Sequence, residues 1–165
     1  MPQMNAWILD FGMGYTAAVG GREVLHLIDI PASYVVPCTP AYCNSVLFWQ
    51  NRVLPLMDMA SRVGDVALQA PFAAVVGYQK ARGEFPQFGA IQLLSPPVHV
   101  AVDDEQACEL PPEAEIWRDL SISCFKYQGR AVPVLNLNRL FATPTHLPVK
   151  QNLTDDRVAL ELGPQ

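Results

Sequence analysis

The chain has 165 residues and a mass of 18.2 kDa, the size of one domain or of two small lobes sharing a core, and too short for most multidomain enzymes. Half of it is hydrophobic, only 16% is charged and the mean hydropathy is +0.14, which excludes disorder for the bulk of the chain. A net charge of −5 and a pI near 5.0 argue against a phosphate-tracking surface, and so against nucleic acid as the main partner.

Fifteen prolines and ten glycines cut the sequence into apolar stretches of strand length, so the expected class is all-β. In chain order, strands are expected at residues 7–11, 15–19, 45–49, 52–59, 72–78, 88–94, 98–103, 121–127 and 130–137, with single helical turns at 113–119 and 138–141. From His146 onward the composition turns polar. Residues 146–165 read as a tail that is mobile or holds a short helix, leaving 1–145 as the folded domain. No apolar run reaches the roughly 20 residues that cross a bilayer, and the start MPQMNAW lacks the basic region of a secretion signal. A soluble, cytoplasmic protein with no direct membrane insertion is the expectation.

The most informative feature is an internal repeat. SVLFWQNRVLPLMDM, from Ser45, aligns with SCFKYQGRAVPVLNL, from Ser123, at an offset of 78 residues. Serine, glutamine, arginine and proline recur at the same places, and Trp49/Tyr127, Asn51/Gly129 and Asp58/Asn136 substitute conservatively. Each copy reads as a hairpin with a two-residue turn, Gln50-Asn51 or Gln128-Gly129, because Asn and Gly accept positive φ at least cost. The second arms, VLPLMDM and AVPVLNL, are apolar almost throughout, predicting strands covered on both faces. Pro55 and Pro133 lack a donor N–H and are expected at a strand edge or bulge. Asp58 and Asn136 are placed to hydrogen-bond the turn that ends each strand. Two similar β lobes packed on one another follow from the repeat alone.

Three motifs carry the outline of enzyme chemistry. ILDFGMGYTA contains GxGxxA after a strand, but no helix able to bind a pyrophosphate follows, and a hairpin turning at Gly12 and Gly14 is the simpler reading. SCFK is a formal SxxK; its chemistry requires a helix, and the other copy has Phe48 in place of Lys126. Asp103, Asp104 and Glu105, with Asp155 and Asp156 further on, lack the alternating acceptors of a calcium loop and read as a solvated turn. Four cysteines and three histidines are scattered without metal-ligand spacing, so reduced packing cysteines, no metal and no cofactor are expected. No catalytic residue is assigned, and the chain is expected not to be an enzyme.

PAYCNSVLFWQNRVLPLMDMASRVG, from Pro40, resembles the signature of the CheW-like domain, P-p-y-v-x-G-v-x-n-x-R-G-x-i-l-P-v-x-D-L-x-x-x-l-g. GRAVPVLNLNRLF, from Gly129, is similar to that family's last strand, and VLHLID, from Val24, stands where the family has V-x-E-I. The resemblance covers residues 7–141 and implies two five-stranded, SH3-like β-barrel lobes around a shared core, with short helical turns. It also implies a non-enzymatic adaptor of bacterial chemosensory signalling. Its partners would be the regulatory domain of a CheA-type histidine kinase, bound by barrel edges and loops, and the helical cytoplasmic tip of a chemoreceptor, bound in a groove between the lobes. The departures are the family glycines replaced by Ser45 and Ser123, the Arg-Gly turn replaced by Gln50-Asn51, and the family glutamate replaced by His26. Losing the arginine removes a bidentate donor from an expected contact. These departures point to a divergent accessory member, of the kind that serves a type IV pilus-type system. The partner-binding candidates are His26, Trp49, Gln50, Asn51, Arg52 and Arg130; Ser45, Pro55, Asp58, Ser123, Pro133 and Asn136 are expected to shape turns and strands. A β-barrel module holding a small molecule between the lobes is the alternative.

Overall fold

In a computed structural model, which describes residues 3–29 and 31–142, eleven strands make two curled sheets. The predicted tail 146–165, with His146, Asp155 and Asp156, lies outside the described residues. The strands are β1 (Met4–Gly12), β2 (Tyr15–Gly20), β3 (Val24–Asp29), β4 (Tyr34–Val35), β5 (Ser45–Trp49), β6 (Arg52–Met57), β7 (Phe72–Tyr78), β8 (Gln87–Leu93), β9 (Val98–Val102), β10 (Ser121–Tyr127) and β11 (Arg130–Leu135). Helix α1 (Met59–Gly64) follows β6, and α2 (Leu137–Leu140) follows β11.

The first sheet runs β10-β11-β2-β1-β9 and the second β3-β7-β8-β6-β5-β4. Each places two antiparallel hairpins side by side, joined by a parallel contact. In the second sheet that contact is Leu56 to Ala90 and Met57 to Ile91; in the first it is Val134 to Ala18. Leu56 and Val134 are equivalent across the repeat. The second sheet is built from one continuous stretch, β3 to β8. The first needs β1 and β2 from one part of the chain and β9 to β11 from another, so we call these the continuous lobe and the split lobe. Both curl toward closure in the same way, because the chain leaving the edge strand turns and pairs with the first arm of the next hairpin. In the continuous lobe β4 does this against β5, and in the split lobe a single bridge, Ala107 to Phe125, does it against β10. The six-stranded sheet corrects the expectation of five strands per lobe: the two-residue β4 is too short to leave a periodic signal.

The repeat holds residue by residue. Ser45 pairs with Leu56 and Ser123 with Val134; Trp49 pairs with Arg52 and Tyr127 with Arg130. Both turns have two residues at positive φ, 48° and 62° at Gln50 and Asn51, 51° and 76° at Gln128 and Gly129, the twist that suits two-residue hairpins. Pro55 and Pro133 fall one residue before the parallel contact begins, where the strand is paired on one side only and a missing donor costs least. The second arms end earlier than predicted, at Met57 and Leu135, because Asp58 and Asn136 start helices. The Asp58 carboxylate accepts the Ser61 N–H at 3.2 Å, and the Asn136 amide oxygen accepts the Arg139 N–H at 3.3 Å. Even the backbone bond into each cap repeats: Asp58 donates to the Tyr42 carbonyl and Asn136 to the Leu120 carbonyl, both at 2.8 Å. Residues 113–119 lie within a longer 3-10 segment, Pro112–Leu120.

Burial follows this doubling. Leu47, Leu54, Leu56, Ala73, Val75 and Ala90 fill the inside of the continuous lobe, and Ala6, Ala18, Val100, Phe125 and Val132 fill the split lobe. Between the lobes lies one shared core, in which Leu9, Val19, Met57, Val76, Ile91, Trp117, Leu135 and Leu140 meet. The strands buried on both faces are therefore β2, β7 and β8. The predicted second arms are covered on both sides only near their ends. Val53, near the turn, stands in solvent because the parallel contact with β8 starts three residues later.

Ala18 and Ala90, fully buried at the two parallel contacts, leave no room for a longer side chain. Ala18→Leu and Ala90→Leu should each destabilise by about 1–3 kcal/mol through overpacking, measured by denaturant unfolding. Gln128→Asn, which converts the second turn to Asn-Gly, should instead stabilise by about 0.5–1 kcal/mol in the same assay.

Candidate functional site

At the open end of the continuous lobe, side chains from four strands gather in one cluster. Trp49, half-buried on β5, has its ring 6.0 Å from Phe88 on β8 and 6.4 Å from His26 on β3. The Arg52 guanidinium lies 4.4 Å above the Phe88 ring, a cation–π geometry. β3 and β5 sit far apart in the sheet order, so it is the curl that brings His26 to Trp49. His26 and Arg52 are exposed, as are Gln50 and Asn51 at the adjoining turn. Four elements thus unite five of the six predicted partner residues.

Arg130, the sixth, stands apart on the split lobe. It lines a cleft of about 460 Å³ with Tyr15, Trp117, Tyr127 and Gln128, between the two hairpins of that lobe and the 3-10 segment Pro112–Leu120. This cleft lies within one lobe, while the boundary between lobes is filled by the shared core. Ser45, Pro55 and Asp58 lie along and just past the first hairpin, and Ser123, Pro133 and Asn136 along and just past the second.

Outside the Trp49 cluster, the outer face of β4, β5 and β6 is apolar and uncovered. Tyr34 and Phe48 meet edge to face at 5.6 Å. Phe48 pairs across the hairpin with Val53, and Tyr34 with Val46. Tyr34, Phe48 and Val53 expose 55%, 61% and 58% of their surface, unusual for neighbouring large apolar side chains on one strand face. These residues were not singled out in the sequence. A usable signal was nevertheless present: Phe48 aligns with Lys126, and a position that is lysine in one copy faces solvent in both. Phe88, which holds Trp49 and Arg52 together, belongs to no repeated segment and left no signal.

The enzyme-like motifs resolve into structure. GxGxxA forms the β1–β2 turn, with Gly12, Met13 and Gly14 all at positive φ and the Asp10 carboxylate accepting the Gly12 N–H at 2.9 Å. Ser123 and Lys126 lie three apart on an extended strand, far from the spacing a helix would give them. Asp103 caps the 3-10 turn Asp104–Gln106 in a reciprocal capping box with Gln106. Among the described residues no group of three or more His, Cys, Asp or Glu side chains is placed to hold a metal ion, and no helix is long and apolar enough to cross a membrane.

No family model matches the sequence, and no curated protein is significantly similar to it. Solved structures do match. The crystal structure of the scaffolding protein TtCheW from Thermoanaerobacter tengcongensis superposes with a TM-score of 0.69, over 87% of this chain and 94% of that one, at 14% identity. The chain has the CheW fold.

On this fold the β5–β6 hairpin therefore presents an apolar outer face with Tyr34, Phe48 and Val53, and on its other face the Trp49, Arg52 and Phe88 cluster, while the split lobe has a cleft beside Arg130. The Arg52–Phe88 contact holds that cluster together. A double-mutant cycle with Arg52→Ala and Phe88→Leu should give a coupling of about 0.5–1 kcal/mol in thermal or chemical unfolding. Additive losses would show that the guanidinium and the ring do not interact in solution.

Proposed function

We propose that the protein is a non-enzymatic adaptor of a bacterial chemosensory system, working in the cytoplasm to couple chemoreceptors to a CheA-type histidine kinase. The single observation that carries this reading is the exposed Tyr34, Phe48 and Val53 face on a CheW fold. An exposed apolar face next to the polar Gln50-Asn51 turn has the make-up of a protein-docking surface. Its partner is the kinase regulatory domain, a β-barrel of like fold that packs against it. The receptor's helical tip, with apolar residues at spacings of three and four, binds a different surface from the kinase. Replacement of the family arginine by Gln50 and of the glutamate by His26 fits a divergent accessory member serving its own receptor, such as one in a type IV pilus-type system.

Phe48→Lys copies the residue at the equivalent position of the split lobe and stays within what the strand tolerates. It should weaken binding to the kinase regulatory domain at least tenfold in calorimetric titration, while Tm changes little. Kinase autophosphorylation with receptor present should rise on adding the unaltered chain and stay at its basal level with Phe48→Lys. A chain that binds no regulatory domain and leaves autophosphorylation unchanged would remove the proposal.

A further inference from the structure

A pair of thiols lies where the split lobe closes. Cys108, just past β9, and Cys124, on β10, face each other next to the Ala107–Phe125 bridge, with the Cys108 N–H donating to the Cys124 carbonyl at 3.1 Å. Their sulfurs are 3.1 Å apart, about 1 Å beyond the length of a disulfide bond. We propose that Cys108 and Cys124 form a reversible dithiol–disulfide site that locks this seam. The pair is unlike the other two cysteines, since Cys38 is exposed and the half-buried Cys43 is not placed against another thiol.

Access and consequence both follow from position. An open cleft of about 360 Å³ is lined by Cys108, Leu110, Arg118, Ile122 and Cys124, so a small disulfide such as oxidised glutathione can reach the sulfurs. The two cysteines are 16 residues apart and enclose the 3-10 segment whose Trp117 and Leu120 plug the shared core. A covalent link would close that loop and fix both the seam and the plug.

The chemistry balances with a disulfide oxidant. The Cys108 thiolate attacks one sulfur of oxidised glutathione and releases a glutathione thiolate, which takes up a proton. Cys124 then attacks the Cys108 sulfur of the mixed disulfide, releasing the second glutathione thiolate, to which its own proton passes. Two thiols lose two electrons in total, and one oxidised glutathione becomes two reduced ones. Cys124 is buried and Cys108 only partly so, which leaves Cys108 as the sulfur the oxidant reaches first; burial, and after it the hydrogen bond and charge of Cys108, push the Cys124 thiol up to about 12. Once Cys108 is in the mixed disulfide, its hydrogen bond and charge no longer oppose ionisation of Cys124, and the second attack is eased.

The test uses the full chain, equilibrated over a series of reduced-to-oxidised glutathione ratios, then acid-quenched, alkylated and mapped by mass spectrometry. The expected result is the loss of two hydrogens, one linked peptide pair joining Cys108 to Cys124, and recovery of both thiols with dithiothreitol. The linked form should melt roughly 6–12 °C higher than the reduced form, as expected for a loop of about 15 residues in a domain of this size. Cys108→Ser should abolish both the link and the shift. The proposal is overturned if both thiols stay alkylatable at every ratio, if the link joins Cys38 or Cys43 instead, or if the linked form melts no higher. Peptide mapping of the unaltered chain does not depend on any variant folding.

Discussion

In each lobe two hairpins lie next to each other and meet through a parallel contact of only one or two residue pairs, Val134 with Ala18 or Leu56 and Met57 with Ala90 and Ile91. Much of the local sequence serves those contacts. Alanine keeps the backbones close inside each lobe, and proline sits just before the contact, where no donor is required. Asp58 or Asn136 stops the strand just after it by capping a helix, so the chain turns away instead of extending the sheet. The side chains of Met57 and Ile91 in one contact, and of Val19 and Leu135 beside the other, point the other way and join the core between lobes. Pairing and packing are thus set by the same few residues, and neither lobe is complete without the other's face.

The doubling is geometric, whereas the chemistry of the two copies has diverged. Phe48 occupies the outward position that Lys126 holds in the second copy, and Trp49 sits in an aromatic cluster while Tyr127 lines a cleft. Phe48 gains only its modest cross-strand contacts with Val53 and Tyr34 while most of its ring stays in water. At this position the two copies thus differ in what they present to solvent, an aromatic ring in one and an ammonium in the other.

The hairpins, their turns and their prolines were legible in the sequence because the repeat states each of them twice, and Gln-Asn and Gln-Gly are local signals with a conformational cause; Asp58 and Asn136 read only as closing polar residues, whereas they cap helices. What sequence could not show was long-range. β4 is two residues long and owes its pairing to the curl of the sheet, not to periodicity. The parallel contacts join segments that share no pattern. Phe88 enters the Trp49 cluster because the parallel contact sets β8 beside β6, and His26 enters it only because the lobe rolls β3 toward β5. Both-face burial was predicted for the second arms from their uniform hydrophobicity, yet Val53 is exposed, since hydrophobicity records what a face is made of and not what covers it. The candidate site was half visible: Trp49 and Arg52 through the repeat, and His26 through family position, but the exposed apolar face only by comparing the copies.

The split lobe draws β1 and β2 from one part of the chain and its remaining strands from 78 or more residues later, so its closure is non-local in sequence. The continuous lobe has all its strands in one stretch of chain, whereas the split lobe closes only through the pairing of β11 with β2 and of β1 with β9, and non-local pairing of this kind is the slow part of folding a β protein.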